Sequence, residues 1–331
     1  MPFLLVDPDD VDLIDQAVGI LNRSRMVDDP DGFPTHPTLL ARSLRYGWDL
    51  EPDEMYLYSP VDGEAPAGVL VLGFPSRDNL HLGWADITVD PEQRRRGHGS
   101  AILEEVIRRT RNVGRTTIWL GAAEDDLGAK AFLESFGFTY ASHDARRRQV
   151  LSEVDADAVA RLYAEAEVAA HAYVLERGTL PTPPDVLEEL VDVTAAINDA
   201  PMGDLTFTEE LFDLKRLQDI EEAAAGRQDQ VYRIWARHRD SGAVGGHTLV
   251  ATNPLQPHLG RQGDTAVSRD HRGHRLGLLL KIAMMRWLAE VEPQLEVIET
   301  WNQADNDYMI RVNEAIGYRL NRVFAMYELT L

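Results

Sequence analysis

Two short stretches of this sequence combine arginine, glycine and histidine in a way that suits a ligand carrying several phosphates. They are Arg94-Arg95-Arg96-Gly97-His98-Gly99-Ser100 and Arg272-Gly273-His274-Arg275-Leu276-Gly277-Leu278. Glycine lets the backbone come close to an anion, because no Cβ stands in the way. Where such a turn opens a helix, the first backbone N–H groups have no partner inside the helix. They converge on the anion, and the helix dipole adds roughly half a positive charge there. Flanking guanidinium groups complete a cradle for phosphates. Neither stretch has the G-x-G-x-x-G spacing of a dinucleotide fold, and neither ends in the Gly-Lys-Ser/Thr of a P-loop.

The elements that must position these turns are legible on both sides of each. Ahead of the first, Trp84, Ile87 and Val89 alternate as a strand that Asp90-Pro91 breaks. After it, Ile102, Leu103, Val106, Ile107 and Val113 recur at close to helical spacing, and Gly114 ends the helix. Residues 116–120 predict a short buried strand, and Ala129, Phe132, Leu133 and Phe136 a second helix closing at Gly137. The same series then returns. Residues 263–267 predict the strand, Leu279, Leu280, Ala283, Trp287 and Leu288 the helix, and 295–301 the next strand. A last helix runs through Tyr308, Met309 and Val312 to Gly317. Val89 and Val267 lie 178 residues apart, and Gly137 and Gly317 lie 180 apart. Hairpin patterns precede both series: 55–59 and 69–72 about Asp62-Gly63, then 231–238 and 247–251 about Ser241-Gly242.

Two matching series at a nearly constant offset make the chain a duplication, with halves 1–152 and 153–331. Residues 138–141 and 147–151 read as the closing strands of the first half. Each half opens on interrupted helices, over 11–48 and over 155–228, that would wall an acceptor site. The second wall is interrupted at 178–184 and 198–204. The fold class expected is α/β, a twisted mixed sheet flanked by helices in each half.

Composition narrows the partners. The net charge is 33 − 55 = −22, which argues against nucleic acid and is compatible with a cleft that attracts amines. There is no cysteine, so disulfides, thiolate metal sites and a covalent thioester on the protein are excluded. The ten histidines do not cluster with carboxylates at metal-ligand spacings, and no metal is expected. The first seven residues lack a basic region, and no apolar run approaches the roughly 20 residues of a membrane span. A cytoplasmic protein, monomer or homodimer, with no membrane partner is the expectation.

Arg94-Arg-Arg-Gly97-His-Gly99 resembles the pyrophosphate-binding signature of the GNAT acyltransferase superfamily, [Q/R]-x-x-G-x-[G/A], and Val89-Asp90-Pro91 stands in its usual place before it. Arg272-Gly-His-Arg275-Leu-Gly277 aligns with the signature but has Arg275 at its first glycine. Ala131-Phe-Leu-Glu-Ser-Phe-Gly-Phe138 resembles the family's later helix, and Thr300-Trp-Asn302, Asn306 and 313–318 a variant of it. In layout the chain is similar to tandem relatives such as mycothiol synthases. The resemblance implies two successive GNAT folds, each with acetyl-CoA in a split between central strands. Its pyrophosphate would lie on the turns, from Arg94 to Ser100 and from Arg272 to Leu278. Its pantetheine would bond the strand ends at Ile87 and Val89 or Thr265 and Val267, with Asn302 and Asn306 near the second thioester. An amine would attack the thioester directly.

The acid and base common in the family are missing. The usual tyrosine is replaced by Leu133 and Asn313, and the usual glutamate by Gly83 and Arg261. Candidates for these tasks are Asp86 and its repeat equivalent Asp264, then Tyr308, Asn313, Glu299 and the carboxylate of Leu331. The polar residues gather in the second half, so catalysis is expected there, with the first half binding CoA structurally or vestigially. The reading that follows is an N-acetyltransferase acting on a primary amine of a small molecule. The alternatives are a non-catalytic acyl-CoA-binding module and an acetyltransferase for protein N-termini or lysines.

Overall fold

The computed structural model describes residues 2–61, 63–199, 205–303 and 306–331. Asp62 of the first hairpin turn and residues 200–204 of the second interruption lie outside them. The chain divides into two compact units. One comprises Met1–Ala122, Leu127–Ala141 and Met326–Leu331, the other Ala123–Asp126 and Ser142–Ala325.

The first unit runs β1 (Phe3–Leu5), α1 (Val11–Asp28), α2 (Pro37–Tyr46), β2 (Glu54–Tyr58), β3 (Gly68–Gly73), β4 (Leu82–Val89), α3 (His98–Asn112), β5 (Thr117–Ala123) and α4 (Leu127–Ser135). Asp10 starts α1 by accepting from the N–H groups of Asp12 and Leu13, and Pro37 supplies the preset first turn of α2. β1 to β4 pair antiparallel, β1 with β2 across the intervening α1 and α2, and β2 to β4 through loops. β5 lies parallel to β4, which the intervening helix α3 makes possible. Ile14, Val18, Met55, Leu57 and Val69 form the core beneath α1. Ile102, Leu103 and Val106 bury the apolar face of α3.

Between the two series runs one long strand, β6 (Thr139–Val150). The second unit continues with α5 (Ala156–Ala169), β7 (Tyr173–Thr179), α6 (Pro184–Ala195), α7 (Leu214–Arg227), β8 (Gln230–His238), β9 (Val244–Asn253), β10 (Gln256–Val267), α8 (Leu276–Val291), β11 (Val297–Gln303), α9 (Asp307–Ala315) and β12 (Tyr318–Thr330). Its strand order is β12-β6-β11-β10-β9-β8-β7. One sheet face packs on α8 and α5 through Tyr232, Ile234, Val250 and Leu280. The other packs on α6 and α7 through Leu190, Leu217, Trp235 and Ala266.

Two local readings change. Residues 173–179, inside a segment read as helical, form strand β7 along β8, because the exposed edge of β8 offers seven residues a ladder. The two closing strands expected for the first half are a single strand, whose residues 144–150 pair antiparallel with β11. The mixed α/β class expected from the sequence is the class observed.

Candidate functional site

In each unit the parallel central pair comes apart towards its carboxyl ends. β4 pairs with β5 over residues 82–85, after which residues 86–89 have no partner on that side. β10 pairs with β11 only over 259–261, which leaves residues 262–267 free. The second split is therefore six residues deep against four in the first. Its extra depth coincides with a β-bulge: between Gln262 and Thr265, β10 advances three residues while β9 advances two. The amide of Gln262 braces it, donating to the carbonyls of Leu249 at 2.6 Å and Gly263 at 3.1 Å. β4 has no bulge, since its register with β3 is unbroken. A bulge bends its strand and leaves a residue unpaired, and Asp264 lies within it.

Each split ends in a turn of the same backbone shape. A 3₁₀ turn, Pro91–Gln93 or Arg269–His271, leads to two left-handed residues and then to the helix. The left-handed positions are Arg95 (φ 64°) and Gly97 (φ 87°) in the first turn, Gly273 (φ 85°) and Arg275 (φ 55°) in the second. At the 178-residue offset these positions coincide, so each turn holds one glycine and one arginine in opposite order. Arg275 thus replaces the signature glycine without a change of fold, at a cost of about 1–2 kcal/mol for a side chain in this region. Neither α3 nor α8 has a side-chain cap, whereas Asp10, Asp155, Asp213 and Asn306 cap α1, α5, α7 and α9. The free N–H groups at the turns remain for a ligand, and a Cβ on Gly97 or Gly273 would meet nothing within 4 Å. A ligand with a phosphate group and an extended arm fits the pair of features, uncapped turn and split.

The first arginine of each turn ties back to the strand before it. Arg94 donates through Nε to the Val89 carbonyl at 3.1 Å and through Nη1 to Asp28 at 2.7 Å. Arg272 repeats this on the Val267 carbonyl at 3.1 Å and on Asp199. Arg269, then Arg272, pulls the Asp199 carboxyl down to about 2. These residues brace the turns. Arg95 and Gly97 are exposed, Arg96 donates to Gln93, and Arg275 donates to Glu165 at 2.7 Å. His98 packs on Tyr58, and His274 on Tyr173, whose hydroxyl meets Nδ1 of His271 at 2.8 Å. Ser100 lies in the first turn of α3, while Leu276 and Leu278 are buried, so only their backbone can meet a ligand. Ile87 and Val89 lie on the free edge of β4. Thr265 and Val267 lie on that of β10, the Thr265 hydroxyl meeting that of Thr248 at 2.8 Å.

The candidate acid–base residues lie in different surroundings. The Tyr308 hydroxyl is 4.0 Å from where a Cβ on Gly277 would stand, beside Thr265, at the mouth of the second split. At the equivalent glycine of the first unit, Gly99, the nearest neighbour is the ring of Phe132 at 3.6 Å. Asn313 is fully buried and donates to Asn302 at 2.9 Å, tying α9 to β11, while Asn306 accepts from Met309 as the cap of α9. Glu299 accepts from Arg148 at 2.7 Å, with Arg146 3.7 Å away. Asp86 and Asp264 both have carboxyls raised by lost hydration, that of Asp86 drawn partly back by the Ile87 backbone and that of Asp264 by Arg233. The Leu331 backbone N–H bonds Thr116 at 2.8 Å, at the start of β5, so the chain end lies away from the carboxyl ends where that strand parts from β4.

A buried polar group escaped the sequence reading. Arg233 on β8, His247 on β9 and Glu221 on α7 are 4%, 1% and 7% exposed. The signal was present as an arginine inside the apolar run Val231-Tyr-Arg-Ile-Trp-Ala236. Desolvation first, then the Arg233 charge, pushes His247 down to about 3. It therefore stays neutral when folded, while the unfolded chain takes up a proton near pH 6.5. Stability is thus full above that pH and falls as acid is added, by about 1.4 kcal/mol per pH unit until the folded value is reached. Denaturant midpoints between pH 7 and pH 5 are expected to drop accordingly, and His247→Asn to flatten that slope.

Among the described residues no group of three or more metal-ligating side chains occurs, and no helix is long and apolar enough to cross a membrane. The acetyltransferase (GNAT) family model matches residues 21–138. No curated protein matches the chain in sequence. Among solved structures, a tandem GNAT protein from the clavulanic acid biosynthesis pathway superposes with a TM-score of 0.81 at 24% identity, covering 99% of this chain and 98% of that one. A GCN5-related N-acetyltransferase from Sphaerobacter thermophilus gives a TM-score of 0.69 at 14% identity, over 99% of this chain and 96% of that one. Residues 21–138 match the acetyltransferase (GNAT) family, and the chain throughout has the fold of a tandem GNAT protein, with an uncapped turn at the end of each split.

Proposed function

We propose that the chain transfers an acetyl group from acetyl-CoA to the primary amine of a small molecule, and that the transfer takes place in the second half, 153–331. Acetyl-CoA supplies the thioester whose acetyl carbon the amine attacks. The free N–H groups at Arg275, Leu276 and Gly277 hold its pyrophosphate, and the free edge of β10 holds its pantetheine arm. Asp264 takes the proton that the attacking nitrogen must lose, and its raised carboxyl makes it a stronger base than an ordinary aspartate. Tyr308 gives a proton to the departing sulfur. Glu299 is left out of this scheme, because its charge is already committed to Arg148.

The observation that carries the proposal is the contrast at Gly277 and Gly99: a hydroxyl beside a deepened, bulged split in one case, an apolar ring beside a shallow one in the other. The same contrast supports a first half, 1–152, that binds CoA without turnover. Tyr308→Phe is expected to lower kcat about 100-fold while acetyl-CoA affinity stays within about twofold. Thiol release and calorimetry measure the two. Unchanged kcat would remove Tyr308 from the mechanism. Turnover of peptides with none of small amines would move the acceptor to protein.

A further inference from the structure

We infer that the acceptor amine also carries a carboxylate, and that Arg233 is the residue that holds it. The inference rests on the reading of the second half as the transferring one. Arg233 projects from β8 to the sheet face covered by α6 and α7, the face opposite to that of Tyr232 and Ile234. Its neighbour there is Glu221, with Nη2 3.5 Å from Oε1, too long for a good charge-assisted bond. The other Glu221 oxygen already accepts from the Thr182 N–H at 3.0 Å. Nε and Nη1 of Arg233, Oε1 of Glu221 and Nδ1 of His247 are buried and bond nothing. A buried charge pair is stable only when its remaining donors and acceptors are also satisfied, so this cluster lacks a component.

The duplication identifies the cluster as a feature of one half. Arg233 pairs with Leu249 and Trp235 with His247 across β8 and β9, just as Met55 pairs with Val71 and Leu57 with Val69 across β2 and β3. Arg233 and His247 thus stand where the first unit has Met55 and Val69, both members of its apolar core. The missing component is negatively charged where it meets Arg233. It is also short, because β8 and β10 are two strand spacings apart, roughly 10 Å. Asp264 sits at the bulge on that far strand and is coupled to Arg233 through charge. An amino acid, or a compound of that size with one amine and one carboxylate, places opposite charges at Arg233 and Asp264 and adds no net charge.

The test uses the full chain with acetyl-CoA and a panel of amino acids, each beside its amide and its decarboxylated amine. CoA release is expected from carboxylate-bearing acceptors with kcat/KM at least 100-fold above that of the matched amide. The double change Arg233→Gln, Glu221→Gln removes the pair without stranding a charge, and Arg233→Lys keeps the charge. The first is expected to erase the preference through KM, the second to retain part of it, both with acetyl-CoA affinity unchanged by calorimetry. Equal use of amides and amines by the wild type, or a preference that survives the double change, overturns the inference and leaves the transferase reading standing. Binding of acetyl-CoA with no turnover of any compound overturns both.

Discussion

Gly277→Glu is expected to abolish acetyl transfer, a loss of about 1000-fold in kcat/KM, while Gly99→Glu leaves turnover within about threefold. A side chain built on Gly277 starts 3.9 Å from Thr265 and 4.0 Å from the Tyr308 hydroxyl, so a glutamate there enters the mouth of the second split. A carboxylate about 4 Å from a phosphate, in surroundings of effective dielectric near 20, is repelled by about 4 kcal/mol per charge, which is roughly three decades of affinity. Gly99→Glu meets Phe132 and Val89 and repels phosphate in the same way, but at the turn assigned no turnover. Calorimetry is expected to show one acetyl-CoA fewer in each variant, and CoA release to fall in Gly277→Glu alone. The reverse pattern would move catalysis to the first half. Full binding in both variants would end the acyl-CoA reading of these turns.

A chain ending at Ala325 is expected to lose the cooperative unfolding of its first unit, because Met326–Leu331 belong to that unit. Tyr327 is 1% exposed and reaches Glu134 on α4, Leu329 lies against Gly137, and Trp119 on β5 donates to Glu328. Tyr327→Ala alone is expected to cost about 3–5 kcal/mol, as loss of a buried aromatic does. A fragment of residues 1–152 lacks these contacts as well and leaves one edge of β5 uncovered, which invites association. Joining residues 318–331 to that fragment is expected to restore a sharp thermal transition. A fragment 1–152 that already unfolds as sharply as the full chain, and as a monomer, would show the last strand to be dispensable to it.

Much of this protein was legible before its structure. The two turns, the strands before them and the helices after them follow from local chemistry: glycine where φ is positive, apolar spacing of 2 or 3.6, proline where pairing stops. Because those rules act over a few residues, the 178-residue repeat made each half a check on the other. Arg275 illustrates the limit of a motif. It departs from the signature, yet the backbone keeps its shape, with Gly273 and Arg275 occupying the two positions held by Arg95 and Gly97.

Composition and pattern therefore determined the class of fold, the repeat of its elements and the place of each arginine–glycine turn. Tertiary structure alone decided which side chains meet. Arg94 donates to Asp28, 66 residues away, and Glu299 is taken by Arg148 across 151 residues of sequence. Strand β6 pairs with β11, and the end of β12 completes the first unit, because sheet edges are filled by whatever strand fits, without regard to order in the chain. Arg233, His247 and Glu221 come together from two strands and a helix. Their burial, which leaves polar atoms of three ordinary residues without hydrogen-bond partners, is a property of the packed face and is written at no single position.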